Sequence, residues 1–292
     1  MTGQPLSSVF GNDNLHIDSV AITGPLTADD LYLLGENCGK GLLEGINLEN
    51  SQLEGDSLNN AFSGRTLLRY VTLPKNLKTI GSSAFYNTGV LSVEIPSTVE
   101  KISTEAFARC SSLTGTFQIP EGVTSVGYGA FQGMNNIQSL YIPSTLNTVQ
   151  EYSLSLSYPF YSLYAEDCSI YINRMTPPLF APLRYDDCGP LCYETTTEKS
   201  LKGWKLYVPV GAKQNYENAE YWKDIPEIIE TAELTGTSAG IQGVKTVCDN
   251  GLTEVYTLSG RLVSKGMQMP RLQKGLYIVK TGGKTRKVRV NE

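Results

Sequence analysis

The stretch Leu91-Ser-Val-Glu-Ile-Pro-Ser-Thr-Val-Glu-Lys-Ile-Ser-Thr-Glu-Ala-Phe-Ala-Arg-Cys110 decides the fold of this chain. Leu91, Val93 and Ile95 alternate with Ser92 and Glu94, and alternation of period two marks a half-buried strand. Pro96 has no N–H to give to a ladder, so it ends the strand. Val99 and Ile102 point back to the interior from the next straight segment. Ala106 and Phe107 fill the returning side: the phenyl ring spans the coil and the alanine leaves room for it. The same markers recur in phase along the chain. Leu-Pro or Ile-Pro pairs end at Pro74, Pro96, Pro120 and Pro143, spaced 22, 24 and 23 residues. Ala-Phe pairs begin at Ala61, Ala84, Ala106 and Ala130, spaced 23, 22 and 24. Two markers locked to one period make an internal repeat, and a repeat of this length builds a solenoid. One coil cannot bury its apolar face alone, but stacked coils share a continuous core.

Weaker coils flank the clear ones. Val20-Ala-Ile22 and Ile46-Asn-Leu48 read as earlier strands, Ile170-Tyr-Ile172 and Leu206-Tyr-Val-Pro209 as later ones. That makes about eight strands between Val20 and Val208. Val71, Val93, Phe117, Leu140, Ile170 and Leu206 are predicted to face inward on adjacent parallel strands. The phrases Val71-Thr-Leu-Pro, Leu77-Lys-Thr-Ile-Gly81, Val123-Thr-Ser-Val-Gly127 and Ala106-Phe-Ala-Arg-Cys110 resemble the BspA-like leucine-rich repeats of bacterial surface proteins. The ends look similar to that family too. Thr27 followed by Ala28-Asp-Asp-Leu-Tyr-Leu-Leu34 reads as a capped amphipathic helix. Gly211 to Asp224 has helical spacing of Tyr216, Ala219 and Trp222, and should close the last coil.

Residues 231–243 are small, polar and glycine-rich, and read as a linker. Beyond it the charge reverses. Residues 241–292 carry ten Lys or Arg against three Asp or Glu, net +7; residues 1–240 carry fourteen against twenty-six, net −12. Such asymmetry suggests separate jobs. The tail alternates like β-structure, with turns at Ser259-Gly260 and Gly282-Gly283. Val255-Tyr-Thr-Leu-Ser-Gly-Arg-Leu-Val263, Lys274-Gly-Leu-Tyr-Ile-Val279 and Lys287-Val-Arg-Val290 resemble the carboxy-terminal sorting domain of type IX secretion in Bacteroidetes. That resemblance implies a small β-sandwich read by outer-membrane export machinery. The other reading is a plain β-domain without an address function. The expected organisation is a solenoid with caps over 1–230, the linker, and the tail domain over 244–292. The fold class is β-rich α+β: a right-handed leucine-rich-repeat solenoid with parallel strands and helical caps, plus a small β-sandwich-like domain.

Chemistry-bearing residues are sparse. His16 is the single histidine, which argues against Ser-His-Asp or Cys-His catalysis. Asp29–Asp30 and Asp186–Asp187 are adjacent pairs, and neighbours on a strand point to opposite faces, so they cap helices or meet solvent. Of six cysteines, Cys110 occupies a small apolar place in the repeat and reads as a buried free thiol. Cys188-Gly-Pro-Leu-Cys192 could close a loop as a disulfide or stay free; its spacing does not fit a redox pair. No zinc pattern follows, and no cofactor or metal is expected. No apolar run approaches the roughly 18 residues of a membrane span. The acidic solenoid argues against nucleic acid. No leader opens the sequence although both resemblances imply export, so Met1-Thr-Gly-Gln reads as a start that replaces a removed leader.

The outward strand positions can be read off the repeat. One row is Ala21, Asn47, Thr72, Glu94, Gln118, Tyr141, Tyr171 and Tyr207. Three consecutive tyrosines thus stand at one end, beside the insertion Ser157-Tyr-Pro-Phe-Tyr-Ser-Leu-Tyr164. Aromatic faces with polar tips suit protein and sugar contacts. Tyr141, Tyr171 and Tyr207, with Tyr158 and Tyr161, are therefore candidate ligand contacts; alternatively they form a satellite core under the insertion. The resemblance implies a non-catalytic, secreted or cell-surface binding and adhesion protein, with a host or bacterial surface protein or a glycan as partner. The alternatives are a carbohydrate-binding accessory or hydrolytic enzyme at the tyrosine-rich end, and a structural surface-layer component.

Overall fold

The computed structural model describes residues 19–41, 43–157, 165, 167–182, 189–191, 201–232 and 234, and the backbone of four tail strands within 253–290. His16, Tyr158, Tyr161, Asp186–Asp187, Cys188, Cys192 and Cys248 lie outside the described residues. In chain order the elements are β1 (Ser19–Leu26), α1 (Ala28–Gly39), β2 (Gly45–Leu53), β3 (Ser57–Leu58), β4 (Tyr70–Thr72), β5 (Thr79–Ile80), β6 (Lys101–Ile102) and β7 (Gly115–Gln118). There follow β8 (Ser125–Val126), β9 (Ile137–Ile142), β10 (Thr148–Val149), β11 (Ser169–Ile172), β12 (Leu179–Phe180), β13 (Lys205–Pro209), α2 (Lys213–Glu217) and β14 (Glu227–Thr231). The tail holds β15 (Thr253–Thr257), β16 (Leu262–Gly266), β17 (Gly275–Thr281) and β18 (Lys284–Val290).

The coils form a parallel-strand β-solenoid of about eight turns. Each full unit contributes to three ladders. The wide ladder holds the strands that end near proline. A narrow ladder of two-residue strands runs β3-β5-β6-β8-β10-β12 and stacks Leu58, Ile80, Ile102, Val126, Val149 and Phe180 in register. The third lies at the Ala-Phe corner. There the N–H groups of Ser83, Phe85 and Asn87 donate to the carbonyls of Thr104, Ala106 and Ala108 at 2.9, 2.8 and 2.8 Å. One coil on, Glu105, Phe107 and Arg109 repeat the pattern toward Tyr128, Ala130 and Gln132. Two left-handed residues per unit turn the chain through this corner, among them Ser83 (φ 51°) and Asn87 (φ 52°), then Glu105 (φ 52°) and Arg109 (φ 63°). The corner delivers a file of buried rings. Phe85 and Phe107 stack with centroids 5.1 Å apart, Phe107 and Phe131 at 5.9 Å, and Phe117 meets both of the latter edge-on.

The wide ladder departs from the expected continuous register. It is two sheets, β1-β2-β4 and β14-β13-β11-β9-β7, separated by coil 89–95, which the isolated bridge Tyr70–Ser92 ties to the first sheet. Val93 is half-buried and Leu91 is exposed, where both were expected inside. Val90 takes the buried place instead. The cause is a one-residue deficit followed by a one-residue surplus. Ala84 to Val90 is six positions, whereas Ala61–Leu68, Ala106–Leu113 and Ala130–Ile137 are each seven. Leu113 to Phe117 is then four, against three for Leu68–Val71 and Ile137–Leu140. The short coil is drawn so close to its predecessor that a Cβ on Gly89 would collide with the Thr66 carbonyl oxygen. Gly115 absorbs the surplus with φ 76° and a register slip between Gly115 and Thr116. The narrow ladder lies away from both faults and runs through unbroken.

At the first coil, Thr27 and Asp30 form a capping box on α1: the Asp30 N–H donates to Thr27 Oγ1 at 3.2 Å and the Thr27 N–H to Asp30 Oδ2 at 3.0 Å. Leu31, Leu34 and Cys38 reach from this helix into the core. The far end differs from expectation. The helix α2 is one short turn, and β14 follows it, adding a parallel strand beyond β13 (Leu206↔Ile228, Tyr207↔Ile229). Trp222 and Tyr216 are buried against each other, edge to face at 5.5 Å. In the tail, β16-β15-β17-β18 make one antiparallel sheet. A sandwich would need a second sheet, and the described residues supply none.

Candidate functional site

Each wide-ladder strand places alternate residues outside. Because neighbouring strands pair in register, equivalent side chains form rows about 4.8 Å apart. Ala21, Asn47 and Thr72 share a row on the first sheet. Gln118, Tyr141, Tyr171, Tyr207 and Ile229 share one on the second. Glu94 sits in the coil between them, exposed and off any strand. Ile229 extends the row past the last predicted tyrosine; it escaped the sequence reading because Glu227-Ile-Ile-Glu-Thr231 carries none of the repeat's phrases.

The tyrosine rings take up the strand spacing directly. Tyr141 and Tyr171 are parallel within 7° with centroids 4.5 Å apart, and Tyr171 and Tyr207 within 6° at 4.6 Å. All three are half-buried. Both faces of Tyr171 are thus covered by its neighbours, leaving ring edges and hydroxyls at the surface. Burial pushes the Tyr171 phenol above its ordinary range, the flanking phenols add to this, and a hydrogen bond with Ser169 opposes it. The neighbouring row is polar: Thr116, Ser139, Ser169, Lys205 and Glu227. Lys205 and Glu227 close it with an ion pair at 3.3 Å.

A narrow cleft opens at the C-terminal ends of β7, β9 and β11. Tyr141 and Tyr171 form one wall, Gln118, Glu121 and Asn173 the rim, and Leu234 enters from the residues after β14. Tyr207 does not line it. The Glu121 carboxylate is held in place by the Ser144 N–H (3.1 Å) and hydroxyl (2.8 Å), and Arg174 Nη1 donates to the Ser144 carbonyl at 2.6 Å. No sequence signal marked Leu234, a single leucine inside a stretch read as linker.

The three described cysteines are buried free thiols, Cys110 among them as expected. Its Sγ donates to the Phe85 carbonyl at 2.8 Å and lies 3.3 Å from Thr88 Oγ1. Burial raises its pKa to about 11, and those of Cys38 and Cys168 to about 12. Asp30, one of the paired carboxylates, is occupied in the capping box. Among the described residues no helix is long and apolar enough to cross a membrane.

Residues 39–160 match the family described as BspA type leucine rich repeat region, in six copies. No curated protein matches the sequence. Among solved structures, a leucine-rich repeat protein from Bacteroides ovatus ATCC 8483 is similar at 14% identity, over 74% of this chain and 70% of that one, with a TM-score of 0.33. The repeat phrases and the family match coincide, and residues 39–160 are a BspA-type leucine-rich repeat region.

Proposed function

We propose that this chain is a non-catalytic, exported or cell-surface binding protein whose solenoid presents Tyr141, Tyr171 and Tyr207 to a macromolecular ligand. The stacked tyrosine ladder carries the reading, because it sets three aromatic rings in register on one half of the strand face, whereas the outward aromatic described on the other half, Tyr70, stands without a stacked neighbour in its row of Gly45 and Ser92. Tyr158 and Tyr161 from the neighbouring insertion belong to the same proposed patch. The ligand is a host or bacterial surface protein rather than a glycan. Sugar stacking uses free ring faces, and those of Tyr171 are covered at 4.5 and 4.6 Å. Ring edges and hydroxyls remain, which suit a protein partner.

The test is a screen of the full chain against arrayed matrix proteins and polysaccharides, followed by variants. Tyr171→Ala should weaken binding to a captured protein at least about tenfold, the loss of about 1.4 kcal/mol. Thr72→Ala on the first sheet and Glu94→Ala in the coil between the sheets should change it less than about twofold. Losing stability but not affinity in Tyr171→Ala would make the ladder packing rather than contact surface.

Residues 244–292 supply a second element of the reading, an export role through outer-membrane machinery, supported by the charge reversal and the sorting-domain phrases. Deleting them in a host that carries that machinery should leave the protein in the periplasm. Unchanged surface display after the deletion would remove the address function.

A further inference from the structure

Leu234 is 7% exposed, yet it stands outside the hydrophobic core cluster. It lines the cleft beside Tyr141 and Tyr171. The path to that place is short. Leu234 follows Thr231, which pairs with Pro209 at the edge of the sheet. The strand order β14-β13-β11-β9 sets Tyr171 two strands away, about 10 Å at 4.8 Å per strand. Three residues reach at most about 11 Å, so a side chain at position 234 is within reach of the ends of β11 and β9. The free volume left in the cleft is about 10 Å³, at the lower limit of what one water needs.

We propose that this cleft is a seat for a branched aliphatic side chain carried on an extended peptide, and that Leu234 occupies it in cis. The apolar part of the lining comes from Ile119, Ile142, Pro143, Tyr141 and Tyr171. The rim carries the Glu121 carboxylate, already engaged by Ser144, and the carboxamides of Gln118 and Asn173, groups able both to donate to and to accept from a peptide backbone. Shape and chemistry together fit a leucine- or isoleucine-bearing protein segment. The proposal rests on the reading of the tyrosine face as a contact surface and gives that surface a side-chain preference. It also gives it a built-in competitor. A tethered occupant acts at an effective concentration on the order of millimolar, so an external segment binds by displacing Leu234.

The experiment needs no natural ligand. The full chain and its Leu234→Asp variant are treated with tetranitromethane, and nitration of each tyrosine is followed by peptide mapping. If the seat is filled more than about four-fifths of the time, opening it speeds Tyr171 nitration about fivefold, while Tyr207 changes less than twofold. A capped synthetic peptide of residues 231–236 at millimolar concentration should restore protection of Tyr171 in the variant, and the same peptide with aspartate at position 234 should not. Leu234→Ala, read the same way, serves if the aspartate loosens the fold. Equal Tyr171 rates in the parent and both variants, or no protection by the leucine peptide, would overturn the seat. Neither result bears on whether a matrix protein binds elsewhere on the ladder, which Tyr171→Ala decides.

Discussion

Replacing Phe107 by alanine tests the stacked core at its centre. Phe107 is fully buried and touches three other rings: Phe85 at 5.1 Å, Phe117 at 5.5 Å and Phe131 at 5.9 Å. Truncating a buried phenylalanine costs about 3–5 kcal/mol, and aromatic pairs carry about 0.5–1.5 kcal/mol each beyond their area. With three partners the loss falls at the top of the range, about 5 kcal/mol. Phe62 is equally buried but pairs with one ring, Phe85, at 5.6 Å. Its truncation should cost about 3–4 kcal/mol. The difference between the two variants therefore measures the file of rings, since burial is the same in both. Urea titration followed by far-UV circular dichroism reports the whole solenoid, while Trp204 and Trp222, both buried near the last coils, report that end by fluorescence. In a repeat array each coil is stabilised by its neighbours, so the Phe107 variant should also split or broaden the transition. A Phe107→Ala midpoint within about 1 kcal/mol of the parent, or a larger loss at Phe62 than at Phe107, would refute the reasoning.

The buried thiols give a pH signature. Folding raises the pKa of Cys38, Cys110 and Cys168 from 9.0 to about 12, 11 and 12, so their protonated forms are favoured in the native state. The stability this contributes is fully present below pH 9 and is lost as pH rises through 11 and 12. Urea midpoints should fall across that window, and Cys110→Ala should flatten part of the slope; an unchanged slope in every cysteine variant would contradict the burial. At the corner, Glu105 holds φ 52°, where an L-residue is strained by about 1–2 kcal/mol against a glycine entropy cost of about 0.5–1. Glu105→Gly should therefore be neutral or stabilising by thermal melting, whereas Gly64→Ala, at φ 73° in open space, should cost about 1 kcal/mol. Melting shifts of the opposite sign would show that these corners are not left-handed in solution.

Much of this protein is legible in its residues because a solenoid is specified locally. The alternation around Val71 and Leu140, the proline stops and the Ala-Phe corners each act within one coil, and stacking repeats them. The same logic put Tyr141, Tyr171 and Tyr207 in one row, since parallel in-register strands align equivalent positions automatically. The capped start of α1 was readable from Thr27 and Asp30, which need only each other. The break in the wide ladder was not. The 22- and 24-residue spacings hold its cause, but which residue is squeezed out and where the extra one is absorbed depends on the neighbouring coil, through Thr66 against Gly89 and the slip at Gly115. Strand β14 lacked a signal because an end coil has a partner on one side and is released from the repeat's phrases. Leu234 lacked one for the same physical reason in stronger form. Periodicity records which side chains a coil must bury against its own kind, whereas a single leucine beyond the last strand is placed beside Tyr141 and Tyr171 by the folded chain and by no repeat phrase of its own.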